Sequence, residues 1–254
     1  MSKEEMLVKD GEKVEKLLHG KLKIIQKEKG YRFSVDPLLL THFIKITEGD
    51  NVIDLGTGSG VMPLILADRS KADNITGVDI QQEMVSMAER SVGLNKLEDK
   101  IRICECDLKN LKGQFEPEVF DVVLSNPPYI PLKAGRINPH EEKAIARHEI
   151  KMELADVIKG AAFLLKQKGS FYLVFPATRT VDLFVALREN GLEPKEMTLV
   201  HSNENSAAKL LLIRAIKSAK ADLIINKPIY IYDLEGGYTD EAQDILENGK
   251  ELPI

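Results

Sequence analysis

Val52-Ile53-Asp54-Leu55-Gly56-Thr57-Gly58-Ser59-Gly60 reads as a short apolar strand entering a glycine-rich turn, with a helical pattern beginning at Val61. Glycines at such a turn let the backbone approach a ligand closely, and the following helix start offers free N–H groups. The spacing is G-x-G-x-G, preceded by an acid. It differs from the G-x-G-x-x-G of dinucleotide-binding folds, because position 61 is Val and the third glycine falls one residue early. An acid beside the loop also disfavours an anionic ligand. Asp54 therefore points to a cation, or to a ligand carrying amino and hydroxyl groups.

Downstream of this loop strands and helices alternate. Candidate strands are 51–55, 75–79, 101–106, 120–125, 170–175, 197–201 and 209–216, and candidate helices are 61–68, 82–94, 149–165 and 177–189. Such alternation implies βαβ units, hence an α/β fold with a mostly parallel seven-stranded sheet and helices on both faces. The short loop between the last two strands adds an antiparallel edge hairpin. Upstream, Asp36 is placed to cap a helix that carries Pro37 in its first turn and runs through Ile44. Residues 1–30 form a polar extension in which a helix or short strands would both fit. Residues 31–218 form the main domain, and 219–254 form a small appendage.

A second acid, Asp79, ends the next strand in Gly77-Val78-Asp79-Ile80. That is about 20 residues beyond the loop, the distance at which doubly wound folds place a ribose-binding carboxylate. After the third strand, Asp107-Leu108 sits where a purine ring would lie, with Asp107 able to accept from an exocyclic amine. The fourth strand runs into Asn126-Pro127-Pro128-Tyr129. Asn-Pro-Pro is an ordinary way to stop a strand. Here the turn also offers an amide oxygen on Asn126, a backbone carbonyl on Pro127 and the flat face of Tyr129. Two acceptors beside a stacking surface suit a planar substrate bearing an NH2 group.

The 254 residues are 43% hydrophobic and 30% charged, too apolar for disorder and ordinary for a globular chain. The formal net charge of -5 gives no whole-molecule attraction to nucleic acid, although Lys16, Lys21, Lys23, Lys27, Lys29 and Arg32 bias the segment before the core towards basic. Cys104 and Cys106 share a strand face and lack the second pair that a zinc site needs, and no histidine has a ligand-like spacing partner. No metal is expected. With no signal peptide and no span of bilayer length, the expected location is the cytoplasm, without membrane association.

Taken together, these parts resemble the class I S-adenosylmethionine-dependent methyltransferases over residues 31 to 216. The resemblance implies a Rossmann-like fold and S-adenosyl-L-methionine as cofactor. It assigns Asp54, Gly56, Thr57, Gly58 and Gly60 to the cofactor loop, Asp79 to the ribose, and Asp107 and Leu108 to the adenine; Phe33, Ile80 and Asn126 complete the cofactor set. The Asn126, Pro127, Pro128 and Tyr129 turn is similar to the motif of members that methylate a planar conjugated nitrogen. Tyr31 to Pro37, YRFSVDP, is similar to the opening of bacterial transfer-RNA adenine-N6 methyltransferases that act beside the anticodon, and Ala146-Arg147-His148-Glu149 also matches that group. The implied partner is RNA, in the form of tRNA, with Tyr129, Lys133, Arg136 and Arg147 as substrate contacts. Two alternatives share the pattern. One is a protein glutamine-N5 methyltransferase, although the segment before Tyr31 is short for the helical domain such enzymes carry; the other is a non-catalytic RNA-binding module that retains the cofactor fold.

Overall fold

The computed structural model describes residues 7–29, 34–70, 72, 74–127 and 154–248. It opens with an antiparallel hairpin, β1 (Glu12–Leu17) and β2 (Leu22–Lys27), followed by helix α1 (Asp36–Phe43). The alternating core comprises β3 (Asn51–Leu55), α2 (Val61–Arg69), β4 (Asn74–Asp79), α3 (Gln82–Asn95), β5 (Ile101–Glu105) and β6 (Phe120–Ser125). It continues through α4 (Leu154–Leu164), β7 (Leu165–Pro176), α5 (Thr180–Glu189), β8 (Leu192–His201) and β9 (Ala208–Lys217). The tail adds β10 (Ile224–Ile225), β11 (Ile229–Tyr230) and α6 (Asp240–Gln243).

The main sheet runs β10-β8-β9-β7-β6-β3-β4-β5, with β11 also paired to β8. Strands β3 to β7 are mutually parallel, and β9 lies antiparallel between β7 and β8. The seven strands read from the pattern are present. Among the described residues the sheet is nine-stranded rather than seven-stranded, because two-residue strands of the tail extend it beyond β8 and the β8–β9 hairpin is not its outer edge.

Side chains alternate along each strand, so each face of the sheet builds its own core. Val52, Val122, Leu124, Tyr172 and Val174 face α1, α2 and α3, while Ile53, Leu55, Val123, Phe171, Leu173 and Phe175 face α4 and α5. Burying such a side chain fully contributes roughly 1.5–3 kcal/mol. Both extensions join the first of these cores: Leu22 and Ile24 of the hairpin, and Ile229, Ile231 and Ile245 of the tail, pack into it.

Some local expectations are revised. Helix α1 starts at Asp36 itself, whose N–H donates to Ser34 Oγ at 3.3 Å, so Asp36 is a first-turn residue and not the cap. The last strand residue of β5 is Glu105, which leaves Cys106 beyond the strand end. A short 3-10 turn, Ala177–Arg179, precedes α5. Within the expected 149–165 helix, 149–153 lie outside the described residues and Leu165 already opens β7. The basic bias near the N-terminus is partly neutralised, since Lys21 pairs with Asp68 at 2.8 Å and Lys27 with Glu83 at 2.6 Å.

Candidate functional site

Register brings the motif residues to one level. Leu55 of β3 lies opposite Val78 of β4 and Ser125 of β6, so Gly56, Asp79 and Asn126 leave the sheet side by side at its carboxyl edge. The Ser125 hydroxyl donates to the Leu55 carbonyl at 2.7 Å and locks β6 to β3 at that level. Open α/β sheets bind ligands at this edge.

The glycine loop is held from below, since the N–H groups of Gly56 and Thr57 both donate to the Val78 carbonyl at 2.9 Å. Gly58 and Gly60 adopt φ of +56° and +86°, a left-handed backbone that strains a residue with a Cβ. A Cβ at Gly60 would also sit 3.1 Å from that of Ala88, so the loop can lie close on α3 only with glycine there. On β4, a Cβ at Gly77 would meet Ile103 Cδ1 at 2.7 Å and Thr57 Oγ1 at 2.9 Å; its absence lets the loop seat against the strand.

Asp79 is 7% exposed and has two tasks. Its Oδ2 accepts from the Gly58 N–H and its Oδ1 from the Gln81 N–H, each at 2.9 Å. It thus ties the loop to the start of α3. The helix-start role and the ribose role are compatible.

Asp54 is different. It is fully buried at the end of β3, and among the described residues neither carboxylate oxygen has a hydrogen-bond partner. Burial pushes its carboxyl from an ordinary 3.8 up to about 7; the nearby Thr57 hydroxyl pulls it back, and the negative charge of Asp79 adds to the rise. A buried carboxylate without donors is costly. It calls for a ligand that brings positive charge or several N–H groups, and the ammonium of the S-adenosylmethionine implied by the sequence fits that need.

The remaining assignments fall on the same edge. Asp107 Oδ1 accepts from the Lys109 N–H at 2.9 Å and starts a 3-10 turn, Leu108–Gly113, just beyond β5. Ile80, Leu108 and Asn126 are half-buried, and Pro127 is buried. The structure therefore gathers Asp54, Gly56, Thr57, Gly58, Gly60, Asp79, Ile80, Asp107, Leu108, Asn126 and Pro127 at the carboxyl ends of β3 to β6. Phe33, Pro128, Tyr129, Lys133, Arg136 and Arg147 lie outside the described residues.

One neighbour of the loop was not anticipated. Gln26 of β2 is 3% exposed, and its Nε2 lies 3.5 Å from Ser59 Oγ. The available signal was a polar residue ending the apolar alternation Leu22-x-Ile24-x-Gln26.

Among the described residues no cluster of three or more His, Cys, Asp or Glu is placed to hold a metal. Burial raises both cysteine thiols, Cys106 to about 11, so they stay protonated near neutrality. Among the described residues no helix is long and apolar enough to cross a membrane.

Comparison with known proteins places the chain in a family and a fold. Residues 35–190 match the family model described as the methyltransferase small domain. A tRNA1(Val) (adenine(37)-N6)-methyltransferase of Phocaeicola vulgatus is 29% identical over 210 residues, covering 80% of this chain and 86% of that protein. One bearing the same name from a Flavobacteriaceae bacterium is 25% identical over 211 residues, covering 83% and 87%. The crystal structure of a predicted O-methyltransferase from Agrobacterium tumefaciens superposes with a TM-score of 0.69 at 23% identity, covering 86% of this chain and 98% of the other; that likeness concerns the fold.

Proposed function

The chain belongs to the methyltransferase small domain family, and on that premise we propose that it methylates an exocyclic amine, adenine N6 in tRNA, using S-adenosyl-L-methionine. The observation that carries the cofactor reading is Asp54, a fully buried carboxylate without a donor at the foot of the glycine loop. When bound, the cofactor supplies an electrophilic methyl group on a sulfonium. The chain's part is to bind and orient. Asp79 is the acceptor for ribose hydroxyls, Asp107 for the adenine amine, and Asp54 offers its charge to the ammonium.

The target nitrogen is a poor nucleophile because its lone pair is delocalised into the ring. In this reading the Asn126 side-chain oxygen and the Pro127 carbonyl accept its two N–H groups, holding it in line with the methyl donor and stabilising the positive charge that develops on it. Positioning supplies much of the remaining acceleration. Pro128 stiffens the turn, and Tyr129 stacks on the base, a contact worth roughly 1–3 kcal/mol and comparable to the cost of unstacking a nucleotide. Lys133, Arg136 and Arg147 are assigned to phosphates, and Phe33 to the cofactor. The tRNA substrate is supported by the names of the relatives and by the YRFSVDP opening.

The catalytic unit is taken as residues 31–218, with 1–30 and 219–254 as extensions packed on it. The unpaired, protonated cysteines suit a cytoplasmic setting.

Incubating the purified chain with methyl-labelled cofactor and separate RNA, DNA and protein fractions tests the substrate. Label should enter RNA, disappear on nuclease treatment, survive protease and map to N6 of an adenine beside the anticodon. Label that resists nuclease and is lost to protease would instead establish a glutamine methyltransferase, and no transfer to any fraction would leave a binding module.

A further inference from the structure

The N-terminal hairpin delivers a second buried, unpaired acceptor to the glycine loop. Leu22 and Ile24 point from β2 into the core, and the same row ends at Gln26, whose side chain is 3% exposed. Among the described residues its Nε2 has the long 3.5 Å contact to Ser59 Oγ, and its Oε1 is buried with no partner. An apolar side chain would fill that position without the desolvation penalty of an unpaired amide oxygen.

The hairpin is also clamped so that Gln26 cannot drift. On α3, Ser91 Oγ accepts the Ile25 N–H at 2.9 Å, and Asn95 accepts from the Lys23 N–H at 2.9 Å while donating to its carbonyl at 2.6 Å. Arg90 holds Glu12 of β1 at 2.7 Å, and Lys27 holds Glu83 at 2.6 Å. These contacts flank Gln26 in the chain and fix it against the loop, a pre-organised arrangement of the kind a binding group needs.

Two unpaired acceptors, Gln26 Oε1 and the Asp54 carboxylate, therefore come from two different elements to one loop. Asp79 already serves the hydroxyl-bearing part of an adenosyl ligand in the reading above, whereas an ammonium brings three donors and matches two open acceptors. We propose that Gln26 is a positioning residue for the amino-acid end of S-adenosylmethionine, its Oε1 accepting an N–H from the α-ammonium group. The proposal rests on the cofactor reading and extends it to the N-terminal hairpin.

Binding calorimetry and thermal unfolding of the full chain test it, with S-adenosylhomocysteine, which keeps the ammonium, and 5′-methylthioadenosine, which lacks the amino-acid end. Gln26→Leu should weaken S-adenosylhomocysteine binding about tenfold or more, leave 5′-methylthioadenosine binding unchanged, and leave the unliganded midpoint equal or higher. Gln26→Glu, which keeps an acceptor, should retain binding. In turnover, Gln26→Leu should raise the KM for the cofactor far more than it lowers kcat. Equal loss for both ligands would move the contact to the nucleoside and overturn the assignment. Lower unliganded stability with unchanged affinity would make Gln26 a structural residue. If the wild-type chain binds neither ligand, the cofactor reading itself fails, an outcome distinct from a failure of Gln26 alone.

Discussion

Two half-buried acids of the main sheet and two buried acceptors near its carboxyl edge are treated in opposite ways. Near its amino edge, Asp121 of β6 accepts from Lys166 Nζ at 2.7 and 2.8 Å and from the Asn51 N–H at 3.0 Å. Burial pushes its carboxyl up, but Lys166 and that N–H more than offset the effect and hold it below the ordinary range. Glu196, on the flanking strand β8, is likewise held low against burial, gripped by Lys45 at 2.9 Å and Arg214 at 2.9 Å. At the carboxyl edge, Asp54 and Gln26 are buried with open acceptors. At Asp121 and Glu196 the chain provides the partner; at Asp54 and Gln26 the acceptor is left open.

This contrast can be broken most directly at Asn126. Replacement by Ala should lower the methyl-transfer rate by roughly 10²–10³ or more, the scale for removing one pre-organised polar group from a reacting centre. Stabilisation by S-adenosylhomocysteine should fall far less than the rate, and a rate within a few-fold of wild type in single-turnover assays would remove the turn from the mechanism.

The next effect belongs to Asp54. Its folded-state value of about 7 exceeds the ordinary 3.8, so the folded chain holds a proton that the unfolded chain has released. Stability from this group is complete below about pH 4 and is lost as pH rises to about 7. Asp54→Asn should flatten that slope and leave the unliganded chain on the order of a few kcal/mol more stable than wild type at pH 8, while weakening cofactor binding. Urea unfolding at pH 5 and pH 8 reads both chains. Parallel slopes would mean that the acid is paired after all.

The smallest effect sharpens the other side of the contrast. Asp121→Ala leaves Lys166 and the Asn51 N–H without their acceptor and should cost about 1 kcal/mol in urea unfolding. The methyl-transfer rate should not change. A comparable loss of rate would erase the distinction between the edges.

Much of the site was legible because its chemistry follows local pattern. Strand bounds at Asn51–Leu55 and Phe120–Ser125 coincide with the apolar runs, since β-branched stretches ending in glycine or proline stop where the backbone must turn. Asp54, Asp79 and Asn126 were located by their place after such runs. Neither the double use of Asp79, loop tie and ligand acceptor, nor the isolation of Asp54 could be read that way, because both depend on which backbone N–H groups lie within about 3 Å. The tail strands β10 and β11 escaped for a related reason. Two residues carry almost no periodic signal, and they are strands only because β8 offers an unpaired edge.

By itself, then, the sequence determined the alternating α/β order, the strand ends and the acids and turn that line one edge, because each rests on neighbours a few residues apart. Only the tertiary structure decided that the N-terminal segment is a hairpin, that its Gln26 meets a loop more than thirty residues away in the chain, and that Asp54 is buried with no hydrogen-bond partner among the described residues. Burial and hydrogen-bond satisfaction are properties of the packed chain, set by groups distant in sequence, and no local pattern encodes them.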